Sequence, residues 1–260
     1  MLARAALHFW EEPCISGTNG SGTVFFSGCN MQCCFCQNWQ ISEQAQGRVV
    51  SAKRLNQIFN ELILQGAHNI NLVTPSHYAK QLAPLLDNIS VPVVWNSSAY
   101  EEVKTLRLLK DKVQIYLPDF KFSSSDLAKR YAKCEDYPQK AKEAILEMVA
   151  QRGNYKIENG IMTSGVIIRH LVLPGQLENT YGVIDWVSEN FSAGEVKFSL
   201  MSQFTPQANC SLDELGRTLD KREYILARNY ILKKGLTDGY CQALTSAKSA
   251  YTPDFDFTGV

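Results

Sequence analysis

Apolar and polar positions along this 260-residue chain alternate between two periods. Short β-branched runs at 22–28 (GTVFFSG), 69–75 (NINLVTP), 91–96 (VPVVWN), 112–117 (KVQIYL), 165–174 (GVIIRHLVLP) and 195–202 (EVKFSLMS) predict strands. Between them lie amphipathic segments at 51–66, 77–88, 99–111, 137–153, 179–191 and 211–235, which predict helices. Leu55, Ile58, Phe59, Leu62 and Ile63 show the helical spacing in the first. Ser51 and Ser211 suit N-caps, Glu214 completes a capping box with Ser211, and Gly66, Gly153 and Gly235 suit helix ends. Six strand–helix repeats joined by right-handed crossovers give a parallel α/β sheet. The pattern fits a barrel or an open doubly wound sheet, since strand order is not written in it. Residues 155–165 read as an inserted hairpin turning at Asn159-Gly160. With no solenoid repeat, low-complexity tract or Pro/Ser linker, the expectation is one domain over 1–260. It divides into an N-terminal extension at 1–21, the repeats at 22–235 and a C-terminal tail at 236–260.

Composition narrows the functional classes. Lysine plus arginine equals aspartate plus glutamate, 26 each, without a basic run, so neither nucleic acid nor an anionic membrane is an expected partner. No stretch approaches the roughly 20 apolar residues of a membrane span, and MLARAALHFWEEP lacks a signal-peptide layout. The expected location is the cytoplasm, where eight cysteines read as metal ligands before disulfides.

Four of the eight fall in GCNMQCCFCQNW, residues 28–39: Cys29, Cys33, Cys34 and Cys36. They follow the first predicted strand, on the loop face where parallel α/β proteins place their chemistry. Paired C-x(2–4)-C units of structural zinc and the C-x2-C-x2-C run of ferredoxins both fail to match. Cys29, Cys33 and Cys36 give C-x3-C-x2-C, whereas using Cys34 gives C-x4-C-x-C, a strained span around a cubane. Cys14, Cys134, Cys210 and Cys241 read as small buried hydrophobes, although the EEPCISG segment around Cys14 precedes the first strand and runs toward the site.

C-x3-C-x-φ-C with Phe35 before the last cysteine resembles the signature of radical S-adenosylmethionine (radical SAM) enzymes. The resemblance extends over HFWEEPCISGTNGSGTVFFSGCNMQCCFCQNWQIS, NLVTPSHY, YLPDFKF, IRHLVLPG and SLMSQFTP. These segments are similar to an unassigned branch near pyruvate formate-lyase activating enzyme. The implied architecture is a partial (β/α)6 TIM-like barrel. The implied metal site is a [4Fe–4S] cluster on Cys29, Cys33 and Cys36, with SAM on the open fourth iron, and the implied product is a 5′-deoxyadenosyl radical. The implied substrate is a glycine of a partner enzyme, with a peptide or small molecule as the alternative. A low-potential donor such as flavodoxin or ferredoxin would supply the electron. The Gly-Gly-Glu type motif of many such enzymes is replaced by Thr74-Pro75-Ser76-His77, leaving a carbonyl near Thr74 or the Ser76 hydroxyl to meet SAM's amino group. A rival class is a non-catalytic iron–sulfur electron carrier or a metal-braced structural protein.

Polar residues at strand ends complete the expected site. Asp119 and Lys121 share the parity of Val113, Ile115 and Leu117, so they pair with each other or meet SAM's zwitterion. Of the neighbours Arg169 and His170 only one can enter the barrel, and Arg169 is the expected anion contact. Asn96 of Asn96-Ser97-Ser98 contacts SAM, or the segment caps the next helix at Ser98. Gln203 hydrogen-bonds adenine or ribose, or serves a turn. Phe35 and Trp39 pack on adenine or within the loop, and His77 is a proton donor or a helix-start residue.

Overall fold

The computed structural model describes residues 1–246 and 253–260. Its sheet runs β1 (Leu2–His8), β2 (Ser21–Phe26), β3 (Ile70–Val73), β4 (Val93–Ser97), β5 (Ile115–Pro118), β7 (Ile161–Leu171), β8 (Lys197–Met201) and β9 (Gly239–Cys241). A short β6 (Lys156–Glu158) pairs with β7 off this path. Among the described strands every neighbouring pair from β2 to β9 is parallel, whereas β1 on β2 and β6 on β7 are antiparallel. This is the expected α/β partial barrel, resolving the alternative of an open doubly wound sheet. β2, β3, β4, β5 and β8 are buried throughout because helices cover one face and a filled lumen the other. No described helix is long and apolar enough to cross a membrane.

Strand alternation sorts the side chains. Val93, Trp95, Tyr116, Ile168 and Leu200 join the main core with Leu55, Ile58 and Phe59 of the helix Ala52–Leu64. Their neighbours Val94, Ile115, Leu117 and Ile167 turn to the other face and pack with Cys14 and Ile15.

The sheet reaches beyond 22–235 at both ends. β1 runs antiparallel with His8 opposite Ser21, so the chain after it starts at the amino ends of the parallel strands. The short helix Pro13–Ser16 then plugs that end of the lumen, tied down by Asn69 Nδ2 donating to the Ile15 carbonyl at 2.8 Å. At the other terminus, β9 falls in the expected tail. The Thr258 carbonyl and Phe257 amide bond Ala5 and Ala3 along the free edge of β1. Residues 247–252 of the expected tail lie outside the described residues.

Several expected helices are shorter. The stretch 211–235 breaks into a 3-10 turn, Asp213–Leu215, and a helix, Lys221–Lys233. The capping box is Asp220 with Glu223, not Ser211 with Glu214, because Glu214 is engaged by Arg130 and Tyr131. The helix expected over 99–111 contracts to Val103–Arg107, and Glu102 rather than Ser98 occupies its N-cap position. Its approach is pinned by the buried Glu101 carboxylate, which accepts from Trp95 Nε1 and Ser97 Oγ at 2.8 Å each. The stretch 77–88 becomes short turns around Ala79–Leu82, since Pro84 cannot donate to a continuing helix. The helix Ser125–Ala132 is additional. The inserted hairpin turns at Asn159 (φ 52°) and Gly160 (φ 83°), as its Asn-Gly pair requires.

Candidate functional site

The carboxyl ends of β2, β3, β4, β5, β7 and β8 surround a cavity of about 380 Å³. Cys29, Cys33 and Cys36 line it and Cys34 does not. The loop begins at Gly28, whose φ of 87° and a His77 ring nitrogen 3.1 Å from any added Cβ admit no other residue without strain. Cys34 turns the opposite way: its amide donates to the Tyr131 carbonyl at 2.8 Å, and its Sγ lies 3.2 Å from that of Cys210. Among the described residues no three His, Cys, Asp or Glu side chains converge on a single-ion position. A cubane engages each thiolate through a different iron, so its demand is three thiols around one space. That is the arrangement present. Burial pushes the Cys33 thiol well above its ordinary value and the Cys29 thiol up; the Lys121 ammonium works against this at both.

Arg169 is the hub of the polar wall. Its Nε donates to Asp119 Oδ1 at 2.8 Å, Nη1 to Glu11 Oε2 at 3.0 Å and Nη2 to Asn96 Oδ1 at 2.6 Å. Lys121 Nζ donates to Asp119 Oδ2 at 2.7 Å. Burial alone would raise Asp119, but Arg169 and Lys121 outweigh it and hold the carboxyl below its usual range. The Tyr137 hydroxyl accepts from the Lys121 amide at 2.8 Å, and the Asp119 and Ser98 carbonyls share its proton, which fixes the exit of β5. His170, next to Arg169, faces the helix side with Nδ1 2.7 Å from the Phe120 carbonyl and Nε2 3.0 Å from Thr180 Oγ1.

Thr74, Asn96, Gln203 and Phe35 also line the cavity. Thr74 carries φ 58°, a costly conformation for a β-branched residue, held by its amide bond to the Asn96 carbonyl at 2.9 Å. Gln203 Oε1 accepts from Gln242 at 2.8 Å, and the Gln203 carbonyl accepts from Gln37 at 3.0 Å. Phe35 also packs against Phe122, Tyr131 and Phe204, so loop packing and the cavity wall use the same ring. Ser76 is not on this cavity: after Pro75 the chain enters the 3-10 turn Ser76–Tyr78, and Ser76 meets Glu101 beside a second depression. His77 and Trp39 are also outside the lining; the His77 Nε2 lies 2.8 Å from the Ser27 carbonyl.

Two residues that sequence reasoning did not single out stand at the plugged end. Glu11 accepts from Asn71 Nδ2 at 3.0 Å and Asn96 Nδ2 at 3.2 Å, as well as from Arg169. Glu12, in the same lining, is 7% exposed. Burial raises both carboxyls above their ordinary values. The EEPCISG segment that holds them was expected to run toward the site, but nothing in periodicity distinguishes its two carboxylates from a solvated turn.

Residues 15–125 match a protein-family model described as a 4Fe-4S single cluster domain. The uncharacterized protein MJ0674 of Methanocaldococcus jannaschii is 30% identical over 213 residues, covering 77% of this chain and 57% of that protein. This chain therefore spans a little over half the length of that relative. Streptococcus suis SuiB bound to S-adenosylmethionine superposes with TM-score 0.61 at 12% identity, over 85% of this chain and 50% of that chain. SuiB bound to precursor peptide SuiA also gives 0.61, at 13% identity over 86% and 50%. Methylornithine synthase (PylB) gives 0.57 at 12% identity over 91% and 77%. Identities this low speak for architecture alone, and this chain shares the partial α/β-barrel fold of SuiB and PylB.

Proposed function

We propose that this chain is a radical SAM enzyme in which Cys29, Cys33 and Cys36 hold a [4Fe–4S] cluster. The sorting of the four clustered cysteines carries the reading, because three line one cavity while Cys34 turns to Cys210. The match of residues 15–125 to a 4Fe-4S model and the SAM-bound structure of SuiB support it. Held by Cys29, Cys33 and Cys36, such a cluster would supply the electron for reductive cleavage of SAM, the source of a 5′-deoxyadenosyl radical able to take hydrogen from a substrate.

The chain's own residues hold and orient. Lys121 and Arg169 offer positive charge to SAM's carboxylate, and Asp119 keeps both cations in place. The Thr74 carbonyl meets the amino group, while Asn96, Gln203 and Phe35 bound the nucleoside. The buried wall excludes water from the reacting groups. A glycine of a partner enzyme is the substrate implied by the resemblance to glycyl-radical activating enzymes, with a flavodoxin or ferredoxin as electron donor. Peptide modification is the second reading, supported by a neighbour of the same fold captured with a precursor peptide.

Anaerobically reconstituted protein should contain about four irons per chain and release 5′-deoxyadenosine from SAM under a strong reductant. Cys29→Ala, Cys33→Ala and Cys36→Ala should each lose the cluster while Cys34→Ala keeps it. An intact cluster with no SAM cleavage under any reductant would favour an electron carrier. Iron retained in Cys33→Ala and lost in Cys34→Ala would overturn the ligand assignment.

A further inference from the structure

We propose that Cys34 and Cys210 form a dithiol–disulfide modification site, oxidised by a low-molecular-weight disulfide such as oxidised glutathione. The bond staples the 203–210 segment to the cysteine loop without spending an iron ligand. The proposal rests on the radical SAM reading only in naming Cys29, Cys33 and Cys36 as those ligands.

Two segments far apart in the chain meet at this pair. The Cys34 Sγ lies 3.2 Å from that of Cys210, 176 positions away. Contacts on both sides fix the approach. The Cys34 amide donates to the Tyr131 carbonyl at 2.8 Å, and the Cys210 amide donates to the Gln207 carbonyl at 3.0 Å. Gln37 Nε2 donates to the Gln203 carbonyl at 3.0 Å and to Thr205 Oγ1 at 3.3 Å. Asn209 Nδ2 donates to Glu43 Oε2 at 3.4 Å, and the Phe35 and Phe204 rings pack with centroids 6.3 Å apart. These bonds set the register between the segments, so the two thiols face each other as a consequence of the fold.

A disulfide bond measures about 2.05 Å, so the sulfurs need a further approach of about 1.1 Å, a movement that side-chain rotation supplies. Both thiols are half-buried, which lets a small disulfide reach them from solvent, as it does not reach a fully buried cysteine. Cys33 and Cys36, on either side of Cys34, line the cavity instead. With iron bound their thiolates are engaged there, and exchange is left to the outward pair. Cys14 is buried, and the Cys134 thiol is turned to the Ala132 carbonyl at 3.1 Å.

Exchange proceeds by two displacements. One thiolate of the pair attacks the small disulfide, forming a mixed disulfide and releasing one small thiol. The second thiolate attacks the protein sulfur of that mixed disulfide, forming the Cys34–Cys210 bond and releasing the other. Two electrons pass from the protein to the small disulfide, and the two protons of the protein thiols end on the released thiols. The new bond adds a covalent tie beside Phe35 and Gln203, which line the cavity from the two segments.

The test treats anaerobically reconstituted protein with oxidised glutathione, blocks free thiols with N-ethylmaleimide in acid and digests the chain with trypsin unreduced. More than half of the chains should carry a link between the peptides 5–48 and 198–217, with iron content unchanged, and dithiothreitol should remove it. Cys34→Ser and Cys210→Ser should each keep the iron and lose the link. No link at a large excess of oxidised glutathione, or a link that persists in Cys34→Ser, overturns the proposal. SAM cleavage is read on the same sample. Cleavage without the link would refute the modification site and keep the radical SAM reading; the link without cleavage would do the reverse. Iron lost in Cys34→Ser would overturn the ligand assignment and the modification site together.

Discussion

Acidification should weaken this fold through one imidazole. His170 is fully buried between β7 and the helix Leu177–Asn190. The Phe120 carbonyl can only accept, so Nδ1 donates to it and Nε2 accepts from the Thr180 hydroxyl. A second proton would turn the Thr180 hydroxyl from donor to acceptor and leave a charge buried near Lys121. Burial accordingly pushes the His170 pKa down to about 4. An unfolded histidine titrates near 6.5, so between these values the unfolded chain binds more protons and stability falls with pH. One pKa unit corresponds to about 1.36 kcal/mol, so at pH 5 the loss is ~2 kcal/mol, with a ceiling of ~3.4 kcal/mol below pH 4. Glu11, Glu12 and Glu101 have raised pKa values and act in the opposite sense, favouring the fold at low pH. They are present in wild type and His170→Asn alike and cancel in the comparison. The assay is urea unfolding of both proteins at pH 7.5 and 5.0, followed by circular dichroism. The variant, which keeps an amide donor toward Phe120, should be less stable at pH 7.5 but lose ~2 kcal/mol less on acidification. Equal losses in the two proteins would refute the argument.

Arg169→Leu leaves Asp119 and Glu11 without their shared cation and should cost about 3–5 kcal/mol in urea unfolding; a cost below about 1 kcal/mol would show the network to be dispensable. Arg169→Lys should recover only part of it, because one ammonium cannot reproduce three separately aimed guanidinium bonds. At the helix Lys221–Lys233, Asp220→Ala should cost about 1 kcal/mol, since Asp220 Oδ1 accepts from the Glu223 amide at 2.8 Å. Ser211→Ala should stay within about 0.5 kcal/mol, and the reverse order in thermal or urea unfolding would restore Ser211 as the cap.

What the sequence disclosed and what it concealed divide along a physical line. Strand alternation is a local property of the backbone, so parity foretold that only one of Arg169 and His170 enters the lumen; that it is Arg169 is read from the structure. The same parity grouped Asp119 and Lys121 with Ile115 and Leu117. The Asn-Gly turn was legible for a similar reason, since two left-handed residues need that chemistry. Of the two acceptors expected after β3, Thr74 lines the cavity and Ser76 does not, because the chain enters a 3-10 turn after Pro75. Helix limits at 99–111 and 211–235 were set by tertiary partners of Glu101 and Glu214, which periodicity does not encode.

The link of Glu11 and Glu12 to the polar wall was hidden more deeply. Glu11 and Glu12 reach the cavity only because β1 reverses direction and the next residues enter from the far end. Their neighbours Asn71, Asn96 and Arg169 come from three other strands. No spacing rule links position 12 to position 169; the link exists only after strand order is known. The cysteine loop is the opposite case, four thiols within eight residues that are contiguous in the sequence and legible before strand order is known.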